Sequence, residues 1–297
     1  MNSSHWPVSL HSRFEGVLVG VVAAFHGLDR SPDRDRRGLD DAIQAALTLA
    51  SSLGHGDLGS GDPSRDDRGG LATTLATTAG PGDRLAIALL PLMVRWFDRP
   101  DTWIALWEQA THQPVSEAVA FGAIIVGRSM IHDSQSLASL ESLPRILTPP
   151  TPDRLWELAA NPLADWQASD RHPWDWPQRL RFPHSDSVPL LVALHSTISS
   201  GGRWHTALAR SQQHSASAAL WTGALVGALG GVAAIPALYG AMIPDSTLAA
   251  TTDAAQRLID QWSGRLPSLI SDRSLPSLSP GRRASGPPFN LRPVVRG

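Results

Sequence analysis

The stretch ASAALWTGALVGALGGVAAIPALYGAMI, residues 216–243, contains no charged residue. Glycines recur in it every four residues, at Gly223, Gly227 and Gly231. An apolar run of this length and spacing is typical either of a membrane-spanning helix or of a helix buried at the centre of a soluble helical protein. The polar residues at its start, QQHSAS at 212–217, determine what chemistry such a helix can support.

The composition of the whole chain favours the soluble alternative. Apolar residues make up 42% of the 297 residues, which is low for a protein that crosses a membrane many times. The other apolar runs are too short to span a bilayer, and residues 1–11 lack the cationic start of a signal peptide. We therefore expect a cytoplasmic protein without a membrane partner. Its formal charge of −2 gives no general attraction to nucleic acid, which we do not expect as a partner either.

Two residue types are missing, and their absence excludes several kinds of site. The chain has no cysteine, so disulfides, thiolate zinc sites and cysteine nucleophiles are excluded. It also has no lysine, which excludes Schiff-base chemistry and a P-loop lysine.

The hydrophobic pattern predicts an all-α fold. No segment shows the alternation of a half-buried strand, whereas several segments have helical spacing or the length and small-residue content of a buried helix. We predict a compact, single-domain helical bundle over residues 10–265, with a proline-bent helix at Pro91. The predicted helices cover residues 13–28, 39–53, 84–97, 102–110, 115–131, 189–199, 204–213 and 251–262, besides the apolar run.

Two segments differ from this pattern. Residues 143–188 are rich in proline and contain Trp156, Trp166, Trp174 and Trp176, which predicts an insertion that packs by aromatic burial. Residues 266–297 are rich in Pro, Ser, Gly and Arg and predict a disordered tail.

Five short motifs follow one another in an order that resembles the ADP-ribosylglycohydrolase family, whose type is the dinitrogenase-reductase-activating glycohydrolase. Each motif is short, but their order and the match around the late glycine-rich helix make the resemblance specific. The motifs are R-x-x-G-x-L-x-G at 13–20, LDDA at 39–42, PL at 91–92, THQP at 111–114, and TGALVGA at 222–228 followed by IP at 235–236.

The resemblance implies an all-helical domain that uses two Mg²⁺ ions to cleave the bond between ADP-ribose and its acceptor. It implies ligands from a Thr-Asp-Asp motif at one helix start, to which Asp40 and Asp41 correspond. It also implies ligands from an Asp-Thr-Asp-Thr motif before the late helix, where this chain has His214 and Ser217 as its polar candidates.

The chain departs from the family at most of these positions. Leu39 and Ala42 replace both threonines of the first motif, and His214 and Ala216 replace both carboxylates of the second. A further acidic position after the first helix is Phe25. Two adjacent carboxylates are too few for two Mg²⁺ ions, which take oxygen ligands in an octahedron, and a histidine nitrogen suits a transition metal better.

The sequence thus indicates a degenerate member of the family with an eroded dinuclear metal site. Such a protein would bind an ADP-ribose-like ligand or a protein partner without the family's hydrolase activity. The alternative is an active hydrolase of ADP-ribosyl bonds, whose rebuilt site holds one metal ion through Asp40, Asp41, His214 and Ser217.

Each candidate residue also has a purely structural explanation. Asp40 and Asp41 fall in the first turn of the predicted helix 39–53, where carboxylates stabilise the positive end of the helix dipole. His214 can be a histidine at a helix start, and Ser217 can be a helix cap.

Overall fold

The computed structural model describes residues 8–28, 33–55, 82–131 and 187–264. All described residues belong to one compact unit. The predicted tail, and residues 143–186 of the predicted insertion, lie outside the described residues. Both therefore remain predictions.

The described part of the chain is all-α, as predicted, and contains no strand. The first helices are α1 (Leu10–His26), α2 (Asp33–His55), α3 (Gly82–Ala88), α4 (Leu90–Arg95), α5 (Pro100–Thr111) and α6 (Glu117–Ile131). The later helices are α7 (Val188–Ser199), α8 (Trp204–Gln212), α9 (Ala216–Gly230), α10 (Ala237–Met242) and α11 (Asp245–Trp262).

Helices α1 and α9 form the centre of the bundle and run antiparallel to each other. Gly16 lies opposite Gly227, and Gly20 lies opposite Gly223. A Cβ atom added at any of these four positions would overlap a backbone carbonyl oxygen of the facing glycine. The glycine spacing seen in the sequence therefore serves direct backbone contact between two helices, which no larger residue permits.

The apolar run left open a membrane-spanning helix and a buried central helix, and helix α9 is a buried central helix. It is buried on every side, from Ser217 to Leu229. It ends at Gly230 because Gly231 adopts a left-handed conformation with φ 66°, which suits glycine. A 3₁₀ turn, Val232–Ala234, and the short helix α10 follow, so residues 216–243 do not form one continuous helix.

Within the described residues, no helix is both long enough and apolar enough to cross a membrane.

The remaining helices pack around this central pair. Helices α7 and α8 contact α9, while α11 contacts α1 and α2, and α6 contacts α9 and α4. The largest fully buried side chains include Trp103 of α5, Trp221 of α9, and Phe14 and Phe121. These aromatic residues supply core volume in a bundle whose central helices are mostly small residues.

Most predicted helices are confirmed, but some boundaries were wrong. Helix α2 begins at Asp33, six residues before the predicted start at Leu39, so the charged residues 33–37 belong to the helix. Helix α11 begins at Asp245 rather than Thr251. Instead of the predicted bend at Pro91, the helix is interrupted at Leu89. Pro91 lies in the first turn of α4, where its missing N–H group costs no hydrogen bond.

One buried charge connects the start of α1 to the end of α6. The Arg13 side chain is only 7% exposed, and its Nη1 donates hydrogen bonds to the carbonyl oxygens of Ser129 and Met130, both at 3.1 Å. A cation at the C-terminal end of a helix interacts favourably with the helix dipole. The arginine of the first motif therefore has a structural role.

The central glycine contact leads to a direct test with Gly223→Ala. The added methyl group meets the Gly20 carbonyl, so we expect the free energy of unfolding to fall by about 1–3 kcal/mol or more, as for other overpacked cores. The matched control is Gly240→Ala in α10, where a Cβ meets no atom within 4 Å. The control is expected to be neutral or to stabilise by up to about 1 kcal/mol. Urea unfolding of both variants measures the difference, and equal midpoints would refute the contact.

Candidate functional site

The candidate site lies where the C-terminal end of α1 meets the N-terminal end of α9. The antiparallel pairs Gly16–Gly227 and Gly20–Gly223 fix the register of these helices. The same register places the last residues of α1 beside the junction of α8 and α9. A hydrogen bond from Gln212 Nε2 to the carbonyl oxygen of Gly27, 3.3 Å long, joins the two ends directly.

Ser215 starts α9. It has an extended backbone conformation, and its hydroxyl accepts a hydrogen bond from the N–H of Ala218 at 3.1 Å. This is the usual N-cap arrangement of serine. The suggestion that Ser217 caps the helix is therefore wrong, because Ser217 lies inside the first turn and is buried, 8% exposed.

His214 lies directly before this cap and is partly buried. Its Nδ1 atom is buried and has no hydrogen-bond partner among the described residues. Burial lowers the pKa of His214 below its ordinary value of 6.5, so the imidazole is neutral at pH 7. A buried nitrogen without a partner is costly, and it is available to a ligand that reaches it.

Charged side chains of α2 also act on this place, because they shift the pKa of His26, the last residue of α1. Burial lowers the pKa of His26, the charge of Arg36 lowers it further, and the charge of Asp40 raises it. Both α2 side chains are therefore within electrostatic range of the end of α1. The Arg36 guanidinium carbon lies 5.2 Å from the centroid of the Phe25 ring, in a cation–π contact.

Asp40 and Asp41 do not lie at a helix start. They are the eighth and ninth residues of α2, and both are exposed. The prediction that they stabilise the first turn is wrong, because charged residues upstream of Leu39 extend the helix. Leu39 and Ala42, which flank the two aspartates, are buried in the core, with 1% and 5% exposure.

The described residues contain no group of three or more histidine, aspartate or glutamate side chains that could hold a metal ion. Asp40, Asp41 and His214 are thus not brought together as one coordination sphere. The charge of Asp40 raises the pKa of His26, so Asp40 lies within electrostatic range of the end of α1. His214 and Ser217 lie at the start of α9, while the side chains of Leu39 and Ala42 face the interior. The residues present do not fit a dinuclear magnesium centre, which needs several carboxylate oxygens.

Sequence reasoning missed Arg36 and His26, and it missed Tyr239. The Tyr239 ring packs against Trp204, 5.4 Å between ring centroids, and a Cβ at Gly27 would collide with it. The i, i+4 spacing of Arg36 and Asp40 was a usable signal. It was overlooked because the predicted helix began at Leu39, after Arg36.

Comparisons of the chain with protein-family models, with curated proteins and with solved structures found no match.

The neutral histidines predict that acid destabilises the protein. Burial and the charge of Arg210 lower the pKa of His195 in α7 to about 4. For His195 and His214, the folded-state pKa lies below the unfolded-state value near 6.5. Their contribution to stability is complete above pH 6.5, and it falls as the pH drops from there towards the folded-state pKa, because the unfolded state takes up protons first.

We therefore expect the free energy of unfolding to decrease from pH 7 to pH 4. The decrease should be smaller in His195→Gln, and somewhat smaller in His214→Gln. Denaturant titrations at several pH values measure it, with exposed His11→Gln as the control. An unchanged pH slope in His195→Gln would contradict the assignment.

Proposed function

We propose that this chain is a degenerate member of the ADP-ribosylglycohydrolase family that has kept the helical fold and lost the dinuclear magnesium site. It would serve as a binding or scaffold protein for an ADP-ribose-like ligand or for a protein partner, without hydrolase activity. The proposal rests on the motif order, whose residues fall on α1, α2, α4, the end of α5 and α9.

The main support for the proposed loss of activity is the orientation of α2. Its residues at the two threonine positions of the family's motif, Leu39 and Ala42, face the core. Only Asp40 and Asp41 remain polar there, and both face solvent. When apolar residues replace metal-ligating residues on a helix, the helix buries more apolar surface and offers fewer oxygen ligands.

Electrostatics support the same conclusion. Arg36 lies close enough to His26 to lower its pKa, in the region that Asp40 also reaches. A fixed guanidinium in this position repels a divalent cation. The carboxylate that would follow the first helix is replaced by Phe25, so little negative charge remains to offset that repulsion.

The alternative is a hydrolase with a rebuilt, single-metal site. The influence of Asp40 on His26 favours it, since α1 ends next to the junction that contains His214. Such a site would use Asp40, Asp41 and His214 as ligands, with Ser217 nearby.

A calorimetric titration of metal-free protein separates the two functions. Mg²⁺ is added first, then Mn²⁺, and ADP-ribose last. The proposal expects no metal binding in the micromolar range, and any ADP-ribose binding is expected to be independent of metal. Tight metal binding on which ADP-ribose binding depends would favour the hydrolase.

The double variant Asp40→Asn, Asp41→Asn tests the site residues. Both side chains are exposed in the middle of α2, so the free energy of unfolding should change by no more than about 0.5 kcal/mol. Release of ADP-ribose from a modified arginine or serine peptide should be equally absent in wild type and variant. Leu39→Ala is the structural control and should cost about 2–5 kcal/mol. Activity in wild type that the double variant lacks would refute the proposal.

A further inference from the structure

Arg36 is an unusual charge for the end of a helical bundle. It is partly buried and lies over the ring of Phe25, which is itself buried. Within the described residues, no ion pair joins it to a carboxylate. An arginine held against an aromatic face keeps the N–H groups at its edge available for a planar, bidentate partner.

The surroundings of Arg36 also suit an anion. Burial and the charge of Arg36 lower the pKa of His26, and the neutral ring keeps one N–H group that can donate a hydrogen bond to an anion. The Gln212–Gly27 hydrogen bond brings the start of α9 to this end of α1. The Ala218 N–H of that fifteen-residue helix is taken by Ser215, and the N–H groups of Ala216 and Ser217 before it lie at the positive end of the helix dipole.

His214 adds an independent feature. Its buried Nδ1 lacks a hydrogen-bond partner among the described residues, two positions after Gln212. Asp40 is the carboxylate whose charge reaches His26, and it is exposed. The charges that act on the pKa of His26 are thus one guanidinium and one solvated carboxylate, both on α2.

We infer that this end of the bundle binds the diphosphate group of a ligand, with the Arg36 guanidinium as the principal positive charge. The inference rests on the proposed binding function and names the chemical group that the site recognises. Arginine pairs with phosphate through two parallel hydrogen bonds, so one well-held arginine supplies both charge and orientation. Binding needs no metal ion.

The test uses the full chain in low salt with EDTA, titrated calorimetrically with inorganic pyrophosphate, ADP and ADP-ribose. Arg36→Gln removes the charge, and Arg37→Gln removes an equal charge from the adjacent, exposed position on the same helix. We expect all three ligands to bind wild type. Arg36→Gln should raise each Kd at least about tenfold, while Arg37→Gln should change it less than twofold.

Three results of these titrations would overturn the inference. The first is the absence of pyrophosphate and ADP binding at millimolar concentration, and the second is an equal effect of the two arginine variants. The third is ADP-ribose that binds wild type and Arg36→Gln equally, which would leave the proposed function in place. Pyrophosphate that binds through Arg36 while ADP-ribose does not bind would support the inference and contradict ADP-ribose as the ligand of the proposed function.

A labelling experiment on wild type keeps the inference testable if Arg36→Gln does not fold. Phenylglyoxal modifies accessible arginines, and peptide mapping separates Arg36 from Arg37. Pyrophosphate should slow modification of Arg36 several-fold and leave Arg37 unchanged. Equal rates at Arg36 with and without pyrophosphate would overturn the inference.

Discussion

The backbone contact between α1 and α9 is the constraint on which the rest of the structure depends. Facing glycines let the two helices approach so closely that a Cβ atom on one would overlap the carbonyl oxygen of the glycine opposite, and any side chain larger than hydrogen would separate them. The contact fixes the antiparallel register and hence which residues meet at each end. At one end, the N–H of Val232 donates to Ser12 Oγ at 3.2 Å. At the other end, His26 lies near the start of α9, and the candidate site forms there.

The sequence was most informative where local pattern and burial agree. The uncharged run from residue 216 left a membrane helix and a buried central helix as alternatives, and the composition of the chain favoured the buried helix that the structure shows. The start of α2 was misplaced because residues 33–37 are charged and lack apolar periodicity, so only the tertiary setting shows that they are helical. Ser217 was suggested as a cap because it stands at the last position of the motif before the late helix. Ser215 is the cap instead, and its extended backbone conformation decides this.

The site was predictable in part. The motif alignment named Asp40, Asp41 and His214 as candidates, and of these His214 lies at the junction of α8 and α9. The loss of a metal site stays a prediction. The alignment did not identify Arg36 or His26, whose importance comes from helix packing: Arg36 meets Phe25 and His26 only after α1 and α2 come together. In the account proposed here, a family site built for divalent cations has become a site with one fixed positive charge and neutral imidazoles.

An anomalous difference map from crystals grown with Mn²⁺ and ADP-ribose tests this account most directly, because manganese scatters anomalously and its peaks locate the ion without a variant. The account predicts no manganese peak within coordination distance of Asp40, Asp41 or His214, and predicts the ligand's phosphates next to Arg36. A manganese ion coordinated by these aspartates and His214 would contradict it and would identify a rebuilt metal site.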